Sequence, residues 1–229
     1  MRLVLQPLLE TDGVLGAQDA AVHLFYDLAA ADKPALAGAI AAHTELPILI
    51  HDFTGRATLT RVTFIRNTDV KGNGWMFGGF DIREGTPTAL TVPRVAGNTQ
   101  SIVINGSGPF GASVAPAPAG ADTLGLLLDP TRLDILKDAN PAAAQLQIAN
   151  GISAATALED PAKHDATNAD CASCHLAETA RKLGQALPPL LTAADTLRAC
   201  GYVGNRPVKS QRTINESVLA AQRMGALLP

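Results

Sequence analysis

The first 45 residues combine an extended apolar start with apolar positions at helical spacing. Met1–Gln6 has the character of a strand. Farther on, Pro34 stands where the first turn of a helix accepts it. The four-residue spacing predicts two short helices between about residues 17 and 45, carried by Ala20, Leu24 and Leu28 and then by Leu36 and Ile40.

From Leu46 to Asp129 the pattern changes to short β-rich runs separated by turn residues. The clearest element is a hairpin around the turn at residues 69–74, with alternating positions at Thr58, Thr60, Val62 and Phe64 and then at Met76, Phe80 and Ile82. Four further strands are predicted at residues 89–93, 101–105, 113–117 and 123–128. About seven strands at this spacing favour a small sandwich or partial barrel.

After Asp129 the spacing becomes helical again. It predicts helices around Leu133 and Leu136, over 142–155, over 176–183 with a stop at Gly184, and over 192–199. A polar loop is expected at 160–170. Thr213 and Glu216 form a capping-box pattern for a last helix.

These patterns predict an α+β protein. Residues 1–130 would form a β-rich, sandwich-like domain with two short N-terminal helices, and residues 131–229 would form a mostly helical segment.

Composition narrows the classes of partner. Hydrophobic residues make up 47% of the chain and charged residues 17%, with a formal net charge of −3. This balance gives no indication of a nucleic-acid partner. The apolar runs are far shorter than the roughly 18 residues that a membrane span needs, so no span is expected.

The segment with the most chemical information is Cys171-Ala172-Ser173-Cys174-His175. In a Cys-x-x-Cys-His segment, two thiols spaced in this way can form thioethers with the two vinyl groups of one haem, and the adjacent histidine can bind the iron. Shuffling the residues of the chain would give such a segment in about one case in two thousand. The pattern therefore predicts one covalent haem.

Through these five residues the chain resembles the c-type cytochromes. The resemblance implies haem bound covalently to Cys171 and Cys174, with His175 as the proximal iron ligand. The stretches His164–Ala180 and Arg212–Ser217 also resemble a group of uncharacterised exported bacterial proteins with a single such motif. That group supplies no known activity.

The second axial ligand is open at this stage. In small cytochromes with Met-His iron the motif usually comes near the start of the chain, whereas here it comes late. His164, seven positions before Cys171, is similar to the upstream histidine of bis-histidine cytochromes and is the preferred candidate. Met224, Met76, another histidine or an open iron are the alternatives. Arg181 and Lys182 are candidates for pairing with haem propionates, against the simpler view that they lie on a solvated helix face.

Two other uses of the same cysteines compete with haem. Zinc could bind Cys171, Cys174 and either His175 or His164, with Cys200 as the fourth ligand, although the second two-ligand knuckle of most zinc sites is missing. A disulfide or redox pair is the other use, but the expected βαβ context is absent. Cys200 alone suggests a buried free thiol.

The preferred interpretation is an exported, periplasmic or cell-envelope protein that transfers single electrons to redox partner proteins. No export signal precedes Met1, so a haem protein would be expected to have a different natural start. In one alternative, the β-rich part binds an envelope partner and the haem is structural or sensory. A haem enzyme such as a peroxidase is a further alternative, although an electron carrier is preferred to a catalyst.

Overall fold

The computed structural model describes residues 1–68, 73–105, 113–119, 122–165, 167–187, 202–203, 206–207 and 210–228. In the first part the elements are β1 (Arg2–Leu5), β2 (Leu8–Thr11), β3 (Val14–Ala17), β4 (Ala20–Asp27), α1 (Asp32–Ala41), α2 (Leu46–Thr54), β5 (Thr58–Asn67), β6 (Gly74–Arg83), β7 (Thr86–Ala89), β8 (Thr99–Asn105) and β9 (Ser113–Ala115). The second part contains α3 (Asp122–Leu127), α4 (Pro130–Ala139), α5 (Pro141–Leu158), α6 (Cys171–Gly184), β10 (Tyr202–Val203), β11 (Arg206–Pro207) and α7 (Gln211–Gly225).

Seven strands form one antiparallel sheet in the order β1-β4-β5-β6-β8-β9, with β7 also paired to β6. The predicted β5–β6 hairpin is confirmed, with Phe64 opposite Gly78 and Val62 opposite Phe80. Gly78 is required by packing, because a Cβ there would lie 2.7 Å from the ring of Phe64. Two short hairpins, β2–β3 and β10–β11, stand apart from this sheet.

One face of the sheet packs against helices instead of a second large sheet. Its central apolar residues share a buried cluster with residues of α3, α5 and α6, among them Trp75, Phe77, Ile102, Leu124, Ala155 and Leu176. Alanines on α6 allow a close approach, since Ala172, Ala177 and Ala180 are fully buried. The α+β prediction is confirmed. The cluster draws residues from both sides of position 130, and the division into two domains stays a prediction.

Four elements differ from their predictions, and the first is the strand predicted at 89–93: strand β7 ends at Ala89, and residues 90–93 belong to no strand. Residues 20–27 form strand β4, because pairing with β1 on one side and β5 on the other overrides the four-residue apolar spacing. Residues 46–54 form helix α2, with Pro47 in its first turn, where strand was predicted. Residues 122–127 form helix α3 in place of the predicted strand at 123–128.

The helices after residue 129 agree more closely with the sequence. Asp129 and Asn140 accept backbone N–H groups at the starts of α4 and α5. The last helix begins earlier than predicted, because Ser210 caps it by accepting from the Thr213 N–H. The predicted helix at 192–199 lies outside the described residues. Within the described part of the chain, no helix has the length and apolar character needed to cross a membrane.

Replacing Leu176 by alanine tests the packing of α6 on the sheet. Leu176 is fully buried, so the cavity should lower the free energy of unfolding by about 2–5 kcal/mol. Leu146→Ala is the matched control, because Leu146 is 63% exposed on α5 and its loss should cost under about 0.5 kcal/mol. Urea unfolding of both variants measures the difference, and equal stabilities would contradict this packing.

Candidate functional site

The Cys-x-x-Cys-His segment forms the first turn of α6. Cys171, Cys174 and His175 lie three and four positions apart, so they share one side of the helix. All three are half-buried, whereas the residues between them, Ala172 and Ser173, are fully buried. Both cysteines are free thiols. The two sulfur atoms and the imidazole therefore belong to a single helix face that reaches solvent.

A buried hydrogen-bond network fixes the start of this helix. Asp170 caps it by accepting from the backbone N–H of Ser173 at 3.1 Å and from the Ser173 hydroxyl. Gln100 of β8 donates to Asp170 Oδ2 at 2.7 Å and accepts from the Ala172 N–H at 2.9 Å. Asp170 is completely buried and Gln100 is 4% exposed. We call Gln100, Asp170 and Ser173 the capping network.

The surroundings of the two thiols keep them protonated. Burial raises the pKa of Cys171 to about 12, with the Asp170 charge as the second cause. Burial likewise raises the pKa of Cys174 to about 11, against the opposing charge of Arg212. Thiols at a helix N-terminus usually have lowered pKa values, so burial and Asp170 outweigh the helix dipole here. These raised pKa values differ from the lowered thiol pKa values of a reactive thiol–disulfide pair.

His175 packs against the sheet. Its ring centroid lies 5.3 Å from that of Phe77, with the two rings tilted by 47°. His23 shares this sheet face, since it stands two residues from the buried Ala21 on β4. Burial lowers the pKa of His23 to about 4, and the charges of His175 and Arg2 lower it further. The sequence pattern placed His23 in a helix; the strand instead brings it close to His175.

His164 lies in the loop before α6, and its hydrogen bonds define its tautomer. Asn168 Oδ1 accepts from the Asp165 N–H at 3.1 Å, while Asn168 Nδ2 donates to the Lys163 carbonyl at 3.0 Å. The same Oδ1 lies 3.2 Å from His164 Nδ1, so this nitrogen carries the proton. The lone pair then resides on Nε2, as in a metal-ligating histidine oriented by a second residue. His164 as axial ligand stays a prediction.

The methionine alternatives fit this site poorly. Met76 lies on the sheet face opposite its neighbour Phe77, which contacts His175, and its sulfur lies 3.9 Å from Arg66. Met224 is in the last turn of α7, about 18 Å along the helix from Arg212, whose charge acts on Cys174. The second axial ligand stays a prediction, with His164 as the preferred candidate and Met76 and Met224 among the alternatives.

Arg181 has a protein partner of its own. Its Nε lies 2.9 Å and 3.1 Å from the two carboxylate oxygens of Glu159, and Nη1 donates to Gln185. Burial raises the pKa of Glu159, against the charge of Arg181. Lys182 pairs with Glu178 at 2.9 Å. The charges proposed for haem propionates are thus balanced by carboxylates, although a propionate role for Arg181 remains a prediction.

Metal and cavity geometry bear on the competing interpretations. Among the residues that the structure describes, no group of three or more His, Cys, Asp or Glu side chains is arranged to hold a metal ion. Cys200, the fourth ligand of the zinc interpretation, lies outside them. Among the described residues, one cavity of about 520 Å³ lies between α5 and α7 and another of about 210 Å³ lies beside β8, and neither is lined by Cys171, Cys174 or His175. The fit to a covalent haem thus rests on the donor set: two free thiols and an adjacent imidazole on one half-exposed face.

When the chain is compared with known proteins, no protein-family model matches it, and neither does any curated protein or solved structure. Functional inference therefore rests on the residues of the site.

Sequence patterns located part of this site and missed the rest. Asp170 has the signature of a helix cap, an aspartate three residues before Ser173, and could have been recognised. Gln100 has no such signal, because it is 70 residues from Asp170 along the chain. His23 was hidden by the error in the secondary structure of β4.

Gln100→Ala tests the capping network. The substitution removes one donor from the buried Asp170 carboxylate, which keeps its bonds from Ser173, and removes the acceptor of the Ala172 N–H, so the free energy of unfolding should fall by about 1–3 kcal/mol. Gln145→Ala, at an exposed position of α5, should change it by under about 0.5 kcal/mol. Urea unfolding measures both, and a neutral Gln100→Ala would show that the network adds no stability.

Alkylation of the chain made without haem tests the thiol environment. At pH 8 the folded protein should react with iodoacetamide roughly a hundred times more slowly at Cys174, and roughly a thousand times more slowly at Cys171, than after unfolding in urea, because so little thiolate is present. Asp170→Asn keeps a capping side chain but removes the charge, so Cys171 should react faster. Peptide mass spectrometry separates the cysteines. Equal rates in folded and unfolded protein would contradict the raised pKa values.

Proposed function

We propose that this chain is an exported protein of the cell envelope, similar to the c-type cytochromes, that carries one covalent haem and transfers single electrons. The observation that supports it is the shared helix face of Cys171, Cys174 and His175, with both thiols free. The raised pKa values of both thiols differ from the lowered thiol pKa that the redox-pair interpretation requires. They do not bear on the zinc interpretation, because a bound zinc ion itself deprotonates its thiol ligands. The partners of the protein would be redox proteins of the same compartment.

In this function the haem iron would supply the electron chemistry, and the chain would supply its binding and environment. Cys171 and Cys174 would hold the porphyrin covalently, and His175 would bind the iron. The capping network fixes the turn that carries all three. His164 would bind the opposite side of the iron through Nε2, whose lone pair is oriented by the bond from Nδ1 to Asn168. Two imidazole ligands favour a lower potential than a Met-His pair.

A second candidate function receives support from exposed apolar side chains on the first three strands. Strands β1–β3 expose several large apolar side chains, with exposed fractions of 49–68%: Val4, Leu5, Leu8, Leu9 and Val14. Exposed apolar clusters are typical of protein-binding surfaces. The β-rich part would then bind a partner of the envelope, with the haem as a structural or sensory group. Rapid, reversible reduction of the haem would favour electron transfer, and a redox-inert haem would favour this alternative.

The decisive test is production of the chain together with the haem-attachment machinery. Intact mass should increase by one haem, the pyridine haemochrome should be of the c type, and Cys171→Ser with Cys174→Ser should abolish covalent attachment. An unmodified mass with bound zinc would overturn the proposal.

The axial ligand is tested in the same material by His164→Ala. Ferrous wild-type protein should show a low-spin spectrum, and the variant should become high-spin because the iron loses its second imidazole. His51→Ala is the control, since the His51 side chain is 90% exposed on α2 and the spectrum should not change. A low-spin spectrum in the His164 variant would exclude this histidine, and His23→Gln would then be the next substitution.

A further inference from the structure

An ion cluster joins the first strand of the chain to its last helix. Glu216 of α7 accepts from Arg2 of β1 at 2.6 Å and from Arg212 at 2.8 Å, one guanidinium on each carboxylate oxygen. Arg212 also donates to the Leu158 carbonyl at 2.8 Å. These bonds use three N–H donors in total, whereas each guanidinium carries five. We call Arg2, Arg212 and Glu216 the arginine cluster.

The arginine cluster lies beside the cysteine motif. The backbone N–H of Gln211 donates to Glu178 at 2.8 Å, which anchors the start of α7 one helical turn beyond Cys174 and His175. Arg212 is the next residue, and its charge acts on Cys174. Arg2 in turn acts on His23, which shares the sheet face of Phe77, the residue that His175 contacts.

The cluster has an excess positive charge. Although burial alone would raise it, the two arginines lower the pKa of Glu216, so this carboxylate is ionised. Two guanidinium groups against one carboxylate leave one positive charge within the cluster. Outside it, Asp165 interacts with Arg212, and both Asp165 and Asp170 act on Cys174. The side chains of Arg212 and Glu216 are only 15% and 24% exposed, so solvent screens the charge of the cluster incompletely. Arg181, by contrast, is held by Glu159 on another part of α6.

We propose that Arg2 and Arg212 form a carboxylate-binding site that receives the propionate groups of the haem. The inference rests on the proposed function, because it needs the covalent haem. Guanidinium groups bind carboxylates in planar, often bidentate pairs, and haem presents two propionates on one edge. The propionate-binding role then belongs to Arg2 on the first strand and Arg212 on the last helix, and not to Arg181.

Positive charge near the iron favours the ferrous state, because reduction lowers the positive charge of the haem. Removing a guanidinium should therefore lower the midpoint potential, and removing the Glu216 charge should raise it. A purely structural ion cluster would give a different result: both substitutions would destabilise the fold, with no opposite effect on the potential.

The test compares haem-loaded, full-length variants by redox titration with mediators. Arg212→Gln and Arg2→Gln should each shift the ferrous/ferric equilibrium three- to tenfold toward ferric, where tenfold corresponds to about 59 mV for one electron. Glu216→Gln should shift it the other way, and Arg212→Lys, which keeps the charge but loses the planar guanidinium, should shift it less than Arg212→Gln. Arg223→Gln removes an exposed arginine from the far end of α7 and should have no effect.

The outcomes separate this inference from the function on which it rests. A chain whose mass shows no covalent haem overturns both. Variants that carry haem but keep the wild-type potential, or in which the arginine and Glu216 substitutions shift it in the same direction, overturn only the arginine site. Urea unfolding of the variants without haem reports the structural part of the ion pairs separately.

Discussion

The site depends on the contact between a strand and the start of a helix. Gln100 of β8 bonds both to Asp170 and to the Ala172 N–H, so one buried amide holds the cap and the first turn of α6 together. Because Asp170 is completely buried, its carboxylate depends on hydrogen-bond donors such as Gln100 and Ser173. The position of both thiols and the imidazole relative to the sheet follows from this contact and from the alanine-rich packing behind it.

The sequence predicted correctly those helices and strands that are determined by interactions between residues close together in the chain. The β5–β6 hairpin follows from alternation within ten-residue strands, and α4 and α5 follow from apolar spacing and good caps. Residues 20–27 carry apolar side chains at helical spacing, yet they pair with strands on both sides, which only the tertiary structure supplies. The short apolar run at the start of α2 suits either element, and so the sequence could not decide it.

The candidate site shows the same contrast between features that local sequence determines and features that depend on distant segments. The two cysteines and the histidine lie within five residues, so the motif can be recognised from the sequence alone, and it remains the basis of the haem proposal. Their environment comes from distant segments: Gln100 from β8, His23 from β4, Arg2 from β1 and Arg212 from α7. Arg181 is the opposite case. It lies close to the motif along α6, which suggested that it binds a haem propionate, but its guanidinium pairs with Glu159 at the end of α5.

These contacts also bear on the size of the chain, which would be large for a protein whose proposed cofactor is a single haem. The sheet provides the capping amide, the ring beneath His175 and a histidine on the same face. Strand β1 adds a guanidinium to the arginine cluster. The β-rich part thus contributes directly to the surroundings of the motif, and these contacts require no separate function for it. They do not involve the exposed apolar side chains of β1–β3, which are the residues that the proposed partner-binding alternative would use.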